Sequence, residues 1–159
     1  MRVLVVEDDA HARNALTGKL RERGHTVIEC ATGEQALALH AAQPFPLVLI
    51  DWVLPGMDGL DVLKALREEH PETTVLVVSG QGKMSDVVEA LRRGAWDFIS
   101  KPIVDNELFV RTVTRALETA ALLRQNREYG EHLRSANQRL TRPLDELRPD
   151  EEAARHLKS

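Results

Sequence analysis

Apolar and polar positions along the first hundred residues alternate between two periods. Unbroken apolar runs at Val3-Leu4-Val5-Val6 and Leu47-Val48-Leu49-Ile50 read as strands buried on both faces. Thr74-Val75-Leu76-Val77-Val78 and Trp96-Asp97-Phe98-Ile99-Ser100 fit the same reading, and His25 to Ala31 supplies a further strand. Helical stripes lie between them. Ala10 to Arg23 carries Ala12, Ala15, Leu16 and Leu20 and is ended by Gly24. Thr32 caps a helix with Ala36, Leu37, Leu39 and Ala41 that stops before Pro44. Gly59 to His70 carries Leu60, Val62, Leu63 and Leu66 and is halted by Pro71. A helix after Ser79 carries Met84, Val87, Val88 and Leu91 and ends at Gly94. Five strand–helix alternations predict an α/β fold, a doubly wound parallel sheet with helices on both faces.

The remainder is helical in pattern. A helix starting near Asp105 or Asn106 carries Leu108, Val113 and Leu117 and meets no stop at the end of the sheet. Leu122, Tyr129, Leu133, Ala136 and Leu140 then recur at heptad positions, with Asn126 at one a position. That is a short coiled-coil seam, weakened at Gly130, and it predicts a parallel homodimer through the C-terminal helix. Pro143 should kink or end the helix, and Pro149-Asp150-Glu151-Glu152 reads as a new helix start. The expected division is 1–120 for the globular domain, 121–142 for the helical extension, and 143–159 for a helical linker or the start of an output region.

Composition narrows the partners. Of the net charge of −4, none belongs to residues 105–159, which hold ten basic and ten acidic groups. Neither part has the basic face that phosphate-backbone binding requires, so no direct contact with nucleic acid is expected. No apolar segment approaches the roughly 20 residues of a membrane span. The amino terminus enters a strand without a charged-then-apolar leader, and Cys30 is the only cysteine. Both point to the cytoplasm, with Cys30 an inert thiol near a strand end. The six histidines show no ligand spacing and read as surface or packing residues, as do Trp52 and Trp96 as packing.

The chemistry gathers at one edge. The first strand ends in Glu7-Asp8-Asp9, the third in Asp51, the fourth in Ser79 and the fifth in Lys101-Pro102. In an open parallel sheet, ligands sit beyond the carboxyl ends of the strands. Carboxylates there can hold a divalent cation, and a hydroxyl and an ammonium beside them suit metal-assisted phosphoryl transfer. An acidic strand end alone is more often a solvated turn. The joint presence of carboxylates from two strands, a hydroxyl and a lysine on one edge reverses that.

Four blocks, Val5-Val6-Glu7-Asp8-Asp9, Asp51 with Leu54-Pro55-Gly56-Met57-Asp58-Gly59, Val78-Ser79-Gly80, and Gly94 to Pro102, stand in order over roughly residues 1–120. Together they resemble the receiver domain of two-component response regulators. The resemblance implies a flavodoxin-like sheet of order 2-1-3-4-5 and phosphoryl transfer from a histidine kinase or phosphotransfer protein to an aspartate. By position, Asp51 is the phosphoacceptor. Glu7 and Asp8 are the acidic pair, Asp8 ligating Mg2+ directly and Glu7 through water, with Asp9 outside the pair unless the register slips by one. The backbone carbonyl of Val53 is the remaining protein ligand to the metal. Ser79 is the hydroxyl switch, Lys101 the phosphate-binding lysine, Phe98 the rotating aromatic, and the Lys101-Pro102 bond is cis.

The physical demands agree with these roles. A carboxylate is a weak nucleophile and needs in-line positioning plus a metal to screen phosphoryl oxygens. Lysine supplies a point charge for another oxygen. The helical tail resembles regulators whose receiver is joined through a coiled coil to a phosphatase-like output domain, so a downstream output domain or protein partner is expected. Within 159 residues no such domain follows, and the chain reads either as a fragment or as a stand-alone regulator. The competing class is an aspartate-dependent phosphohydrolase, which commonly needs a second aspartate two residues after the nucleophile. Val53 occupies that position, so the expectation is a phosphoacceptor with at most self-dephosphorylation and no turnover of outside substrates.

Overall fold

The computed structural model of the chain describes residues 1–80 and 84–147, with side chains for residues 1–80 and 85–126. Its elements run β1 (Arg2–Val6), α1 (Ala10–Glu22), β2 (Thr26–Cys30), α2 (Gly33–Ala42), β3 (Leu47–Asp51), α3 (Gly59–Glu69), β4 (Thr74–Ser79), α4 (Met84–Arg92), β5 (Asp97–Ser100) and α5 (Asn106–Leu147). The five strands form one parallel sheet of order β2-β1-β3-β4-β5. The alternation is the one the apolar pattern predicts, and the strand order is the one the resemblance implies.

Period-two alternation sorts the strand side chains between two cores. Leu4, Val6, Val48, Ile50, Val75 and Val77 face a cluster closed by Ala36, Val62, Leu63, Leu66 and Ala90 of α2, α3 and α4. Val3, Val5, Leu47, Leu49, Leu76 and Val78 face a second cluster closed by Leu16 and Leu20 of α1 and by Phe109, Val113, Ala116 and Leu117 of α5. Each buried side chain of this size contributes about 1.5–3 kcal/mol relative to exposure. Gly24, at φ 86°, takes the left-handed turn that closes α1.

Two helical phases differ from the sequence reading. In α4, Val87 and Ala90 are buried while Val88 and Leu91 are exposed. In α5, Leu108 is exposed and Phe109 takes the inward place, followed by Val113, Ala116, Leu117 and Ala120. Hydrophobicity alone does not separate neighbouring apolar residues about 100° apart on a helix, and the sheet selects the phase.

The compact unit extends over Met1–Arg124, and Gln125–Ser159 forms a second unit. Helical backbone continues through Pro143 to Leu147, so of the kink or end expected at Pro143, the end is not found. Proline's fixed φ is compatible with a helix, and what is lost is the bond of its missing N–H together with some steric ease. Leu122 is exposed. The side chains of the heptad residues Tyr129, Leu133, Ala136 and Leu140, and the helix start expected at Pro149, lie outside the described residues. No helix among the described residues is long and apolar enough to cross a membrane.

His40, on α2, is a packing histidine with both ring nitrogens committed. Nδ1 accepts the backbone N–H of Phe45 at 3.1 Å, which leaves Nε2, 2.9 Å from Thr73 Oγ1, as the protonated nitrogen. Burial, then the neighbouring His70, pushes its pKa down to about 4. Between pH 6.5 and 4 the unfolded chain therefore binds a proton that the folded chain refuses, and stability falls as pH drops, by at most on the order of 3 kcal/mol. Thermal unfolding of wild type and His40→Asn should show a gap that narrows from pH 7 to pH 4. Parallel curves would contradict the assignment.

Candidate functional site

Strand register brings the chemistry together. Val6 pairs with Ile50, and Asp51 pairs with Val78, so Glu7 and Asp51 leave adjacent strands side by side. Ser79 pairs with Ser100, which places Lys101 at the same edge. Glu7 is 1% exposed and Asp51 6%. Lys101 Nζ donates to Glu7 Oε1 at 2.7 Å and to Asp51 Oδ2 at 3.1 Å. The Lys101-Pro102 bond is cis, as the resemblance implies.

The remaining carboxylate oxygens are held by backbone. Val53 N–H donates to Asp51 Oδ1 at 3.1 Å, closing a turn after β3, and Asp9 N–H donates to Glu7 Oε2 at 3.2 Å. Asp9 itself caps α1, its Oδ1 accepting His11 N–H at 3.2 Å. Glu7, Asp8 and Asp51 can each offer one oxygen within 4.8 Å of the others.

The electrostatics are those of crowding. Glu7 is pushed up to about 7, first by burial and then by its contact with Asp51, against the opposing pull of Lys101. Burial works to lower Lys101, but its bonds to Glu7 and Asp51 outweigh burial and raise it. A hard divalent cation fits such a set, since the donors are all oxygen, two are buried, and Asp8 is open to solvent for a hydrated ion.

Ser79 is buried, and its Oγ has no partner among the described residues. Buried hydroxyls are normally bonded. Those of Thr17 and Thr74 are also unpartnered, but neither lies at the carboxyl end of a strand. Phe98 is half-buried, packed on the α2–α4 core while lining a groove of about 320 Å³ with Val104, Leu108 and Thr112. The Val53 side chain, two residues after Asp51, is exposed and apolar. Trp52 and Trp96 pack half-buried against the two cores. Cys30 is buried, and burial pushes its thiol up to about 11, which keeps it unreactive.

Four supporting residues carry little or no signal in the sequence. Gly59 passed as an ordinary helix start, yet a Cβ there would lie 2.6 Å from the Asp51 carbonyl and 2.8 Å from Trp52 Cα. Asp58 and Asp61 form a capping box that seats α3 against this turn. Its acidic version of the usual pattern was the available signal. Arg13, on α1, donates to the Glu7 carbonyl at 2.7 Å, and an arginine on an amphipathic helix carries no signal of that use.

Comparison with known proteins agrees with this geometry. Residues 3–113 match the family described as response regulator receiver domain. The chain is similar to the nitrogen assimilation regulatory protein NtrX of Azorhizobium caulinodans, 38% identical over 128 residues, covering 79% of this chain and 28% of that protein. It is also similar to the transcriptional activator protein PfeR of Pseudomonas aeruginosa, 40% identical over 111 residues, covering 70% of this chain and 36% of that protein. The crystal structure of the receiver domain of NtrX from Brucella abortus matches with a TM-score of 0.70 at 37% identity, covering 74% of this chain and 98% of that one. The chain thus spans only a minor part of the length of the curated relatives it matches.

The two glycines of contrasting surroundings give a test. Gly59→Ala forces the Asp51–Trp52 backbone to shift and should destabilise by about 1–3 kcal/mol. Gly18→Ala, inside α1 with nothing within 4 Å of the added carbon, should instead stabilise by about 0.5–1 kcal/mol. Urea unfolding measures both, and equal effects would show that the close approach at Gly59 is unimportant.

Proposed function

The chain belongs to the response regulator receiver domain family of two-component systems, and we propose that it acts as a phosphorylated switch with Asp51 as the acceptor. The observation that carries this is the convergence of Glu7, Asp8, Asp51 and Lys101 at one sheet edge. On this reading a histidine kinase or phosphotransfer protein presents a phosphohistidine. One Asp51 oxygen bonds to phosphorus as the P–N bond breaks, and the electron pair, with a proton, remains on the donor imidazole. Glu7, Asp8, Asp51 and the Val53 carbonyl are the candidate holders of Mg2+. When bound, Mg2+ screens the charge of the phosphoryl oxygens and of the carboxylates.

The chain's own residues do the positioning. The turn through Val53 N–H orients the Asp51 carboxylate. Lys101, which spans Glu7 and Asp51, turns its charge to a phosphoryl oxygen. The unpartnered Ser79 hydroxyl then donates to another phosphoryl oxygen, a charge-assisted bond that replaces none. Movement of Ser79 opens space into which Phe98 turns, changing the surface around α4 and β5. Water can later attack the phosphoaspartate, which makes self-dephosphorylation the only turnover in this reading.

The wider assignment is also ours. Residues 121–142 are the dimerising extension and 143–159 lead toward an output domain or protein partner in the cytoplasm, with no direct contact to nucleic acid. Asn126 would pair with its own copy across a two-fold axis and set the register.

Acetyl phosphate with Mg2+ should label the wild-type chain at Asp51 and leave Asp51→Asn unlabelled and folded. Labelling of the Asn variant at the wild-type level ends this reading. Ser79→Ala should label but lose the phosphorylation-linked change in hydrogen exchange around α4 and β5, and a wild-type response there removes the coupling.

Ending the chain after Arg124 should convert a dimer to a monomer that still labels. A full-length chain that sediments as a monomer at tens of micromolar, phosphorylated or not, removes the homodimer.

A further inference from the structure

Arg13 lies one turn into α1 and makes two directed contacts that belong to no established role. Its Nη1 donates to the main-chain carbonyl of Glu7 at 2.7 Å. Its Nε pairs with Glu29 Oε1 at 3.3 Å, and Glu29 Oε2 is met by Arg21 Nη1 at 3.5 Å. Arg21 is fixed in turn by the Val27 carbonyl at 3.1 Å. Glu29 on the edge strand β2 thus orients the guanidinium, and the guanidinium grips the backbone of the acidic loop.

Glu7 is held at every polar group. Its N–H donates to the Cys30 carbonyl at 3.1 Å, its carboxylate meets Lys101 and Asp9 N–H, and its carbonyl meets Arg13. Asp8 differs, for it is exposed and no side-chain bond holds it among the described residues. The Glu7 carbonyl belongs to the planar peptide joining Glu7 to Asp8, so fixing its direction fixes the plane from which Asp8 departs.

We infer that Arg13 is a positioning residue for the cation site: by holding the Glu7 carbonyl, it sets the direction in which the Asp8 carboxylate is delivered toward Glu7 and Asp51. The inference rests on the reading of those three carboxylates as the Mg2+ site. A fold-holding role for Arg13 is the simpler alternative. The Arg13–Glu29 pair is partly exposed, at 21% and 26%, and such pairs contribute little to stability, so the two roles separate in experiment. The fork matters as well, because one lysine ammonium cannot reproduce the Nε and Nη1 contacts together in this geometry.

Charge and positioning predict opposite signs. Arg13 is a cation near a cation site, so if charge alone acted, Arg13→Met would tighten Mg2+ binding. If positioning acts, the same change weakens it, by about 10–100-fold, as loss of residues supporting metal ligands commonly does.

Mg2+ titration of the full chain by calorimetry and Trp52 fluorescence, with amide exchange at Asp8 in the metal-free chain, decides between these. Arg13→Met and Arg13→Lys should both bind more weakly and exchange faster at Asp8. Glu29→Ala, which frees Arg13 without removing it, should show a smaller loss of the same sign and serves if the Arg13 variants do not fold. Unchanged or tighter binding in folded Arg13→Met, or in Glu29→Ala where only that variant folds, overturns the inference. A wild-type chain that binds no Mg2+ overturns instead the reading of the site on which it rests.

Discussion

Glu7 and Asp51 leave neighbouring parallel strands with their carboxylates buried, and they share one ammonium, Lys101 Nζ, at 2.7 and 3.1 Å. Buried like charges are costly unless paired, and a single lysine does not neutralise two carboxylates and the nearby Asp8. Glu7 is accordingly pushed up to about 7, first by burial and then by its contact with Asp51. The three carboxylates, each able to offer an oxygen within 4.8 Å of the others, are a set that an added cation would relieve.

Holding such a site open demands a frame that does not yield. The sheet supplies it, since alternate strand residues lock into two dry cores and leave only the strand ends free to be polar. Short-range devices then aim the ends. Asp9 caps α1 and so withdraws from the acidic trio, the Asp58–Asp61 box seats α3, and Gly59 lets that helix approach the backbone beneath Asp51. Each acts within a few residues of a strand end, where a small rotation would move a carboxylate by an ångström.

Against this rigid frame, the Ser79 hydroxyl and the Phe98 ring are the parts left unsettled. One lacks a partner for its buried oxygen, and the other is divided between core and groove. Exposed apolar side chains at Val88, Leu91, Val104 and Leu108 lie on the neighbouring elements α4 and α5 and the β5–α5 loop. A two-state rearrangement in the site would be read most directly on that side of the molecule.

The sequence by itself determined the five strand–helix alternations, the parallel sheet and the edge on which Glu7, Asp8, Asp51, Ser79 and Lys101 fall. Those features rest on period and on unbroken apolar runs, which are local properties of the chain. Other features depend on which groups meet across the fold. The phases of α4 and α5 were set by the sheet, because adjacent apolar residues compete for one inward direction. The role of Asp9 was decided by the helix it caps, and the closeness required of Gly59 by the turn packed on it. Helical backbone passes Pro143 although proline locally disfavours it. Arg13 is the clearest case, a residue indistinguishable in sequence from a solvated helix position until α1 is laid against Glu7 and Glu29. Periodicity fixes which elements form, whereas hydrogen-bond geometry between distant residues exists only once they are packed.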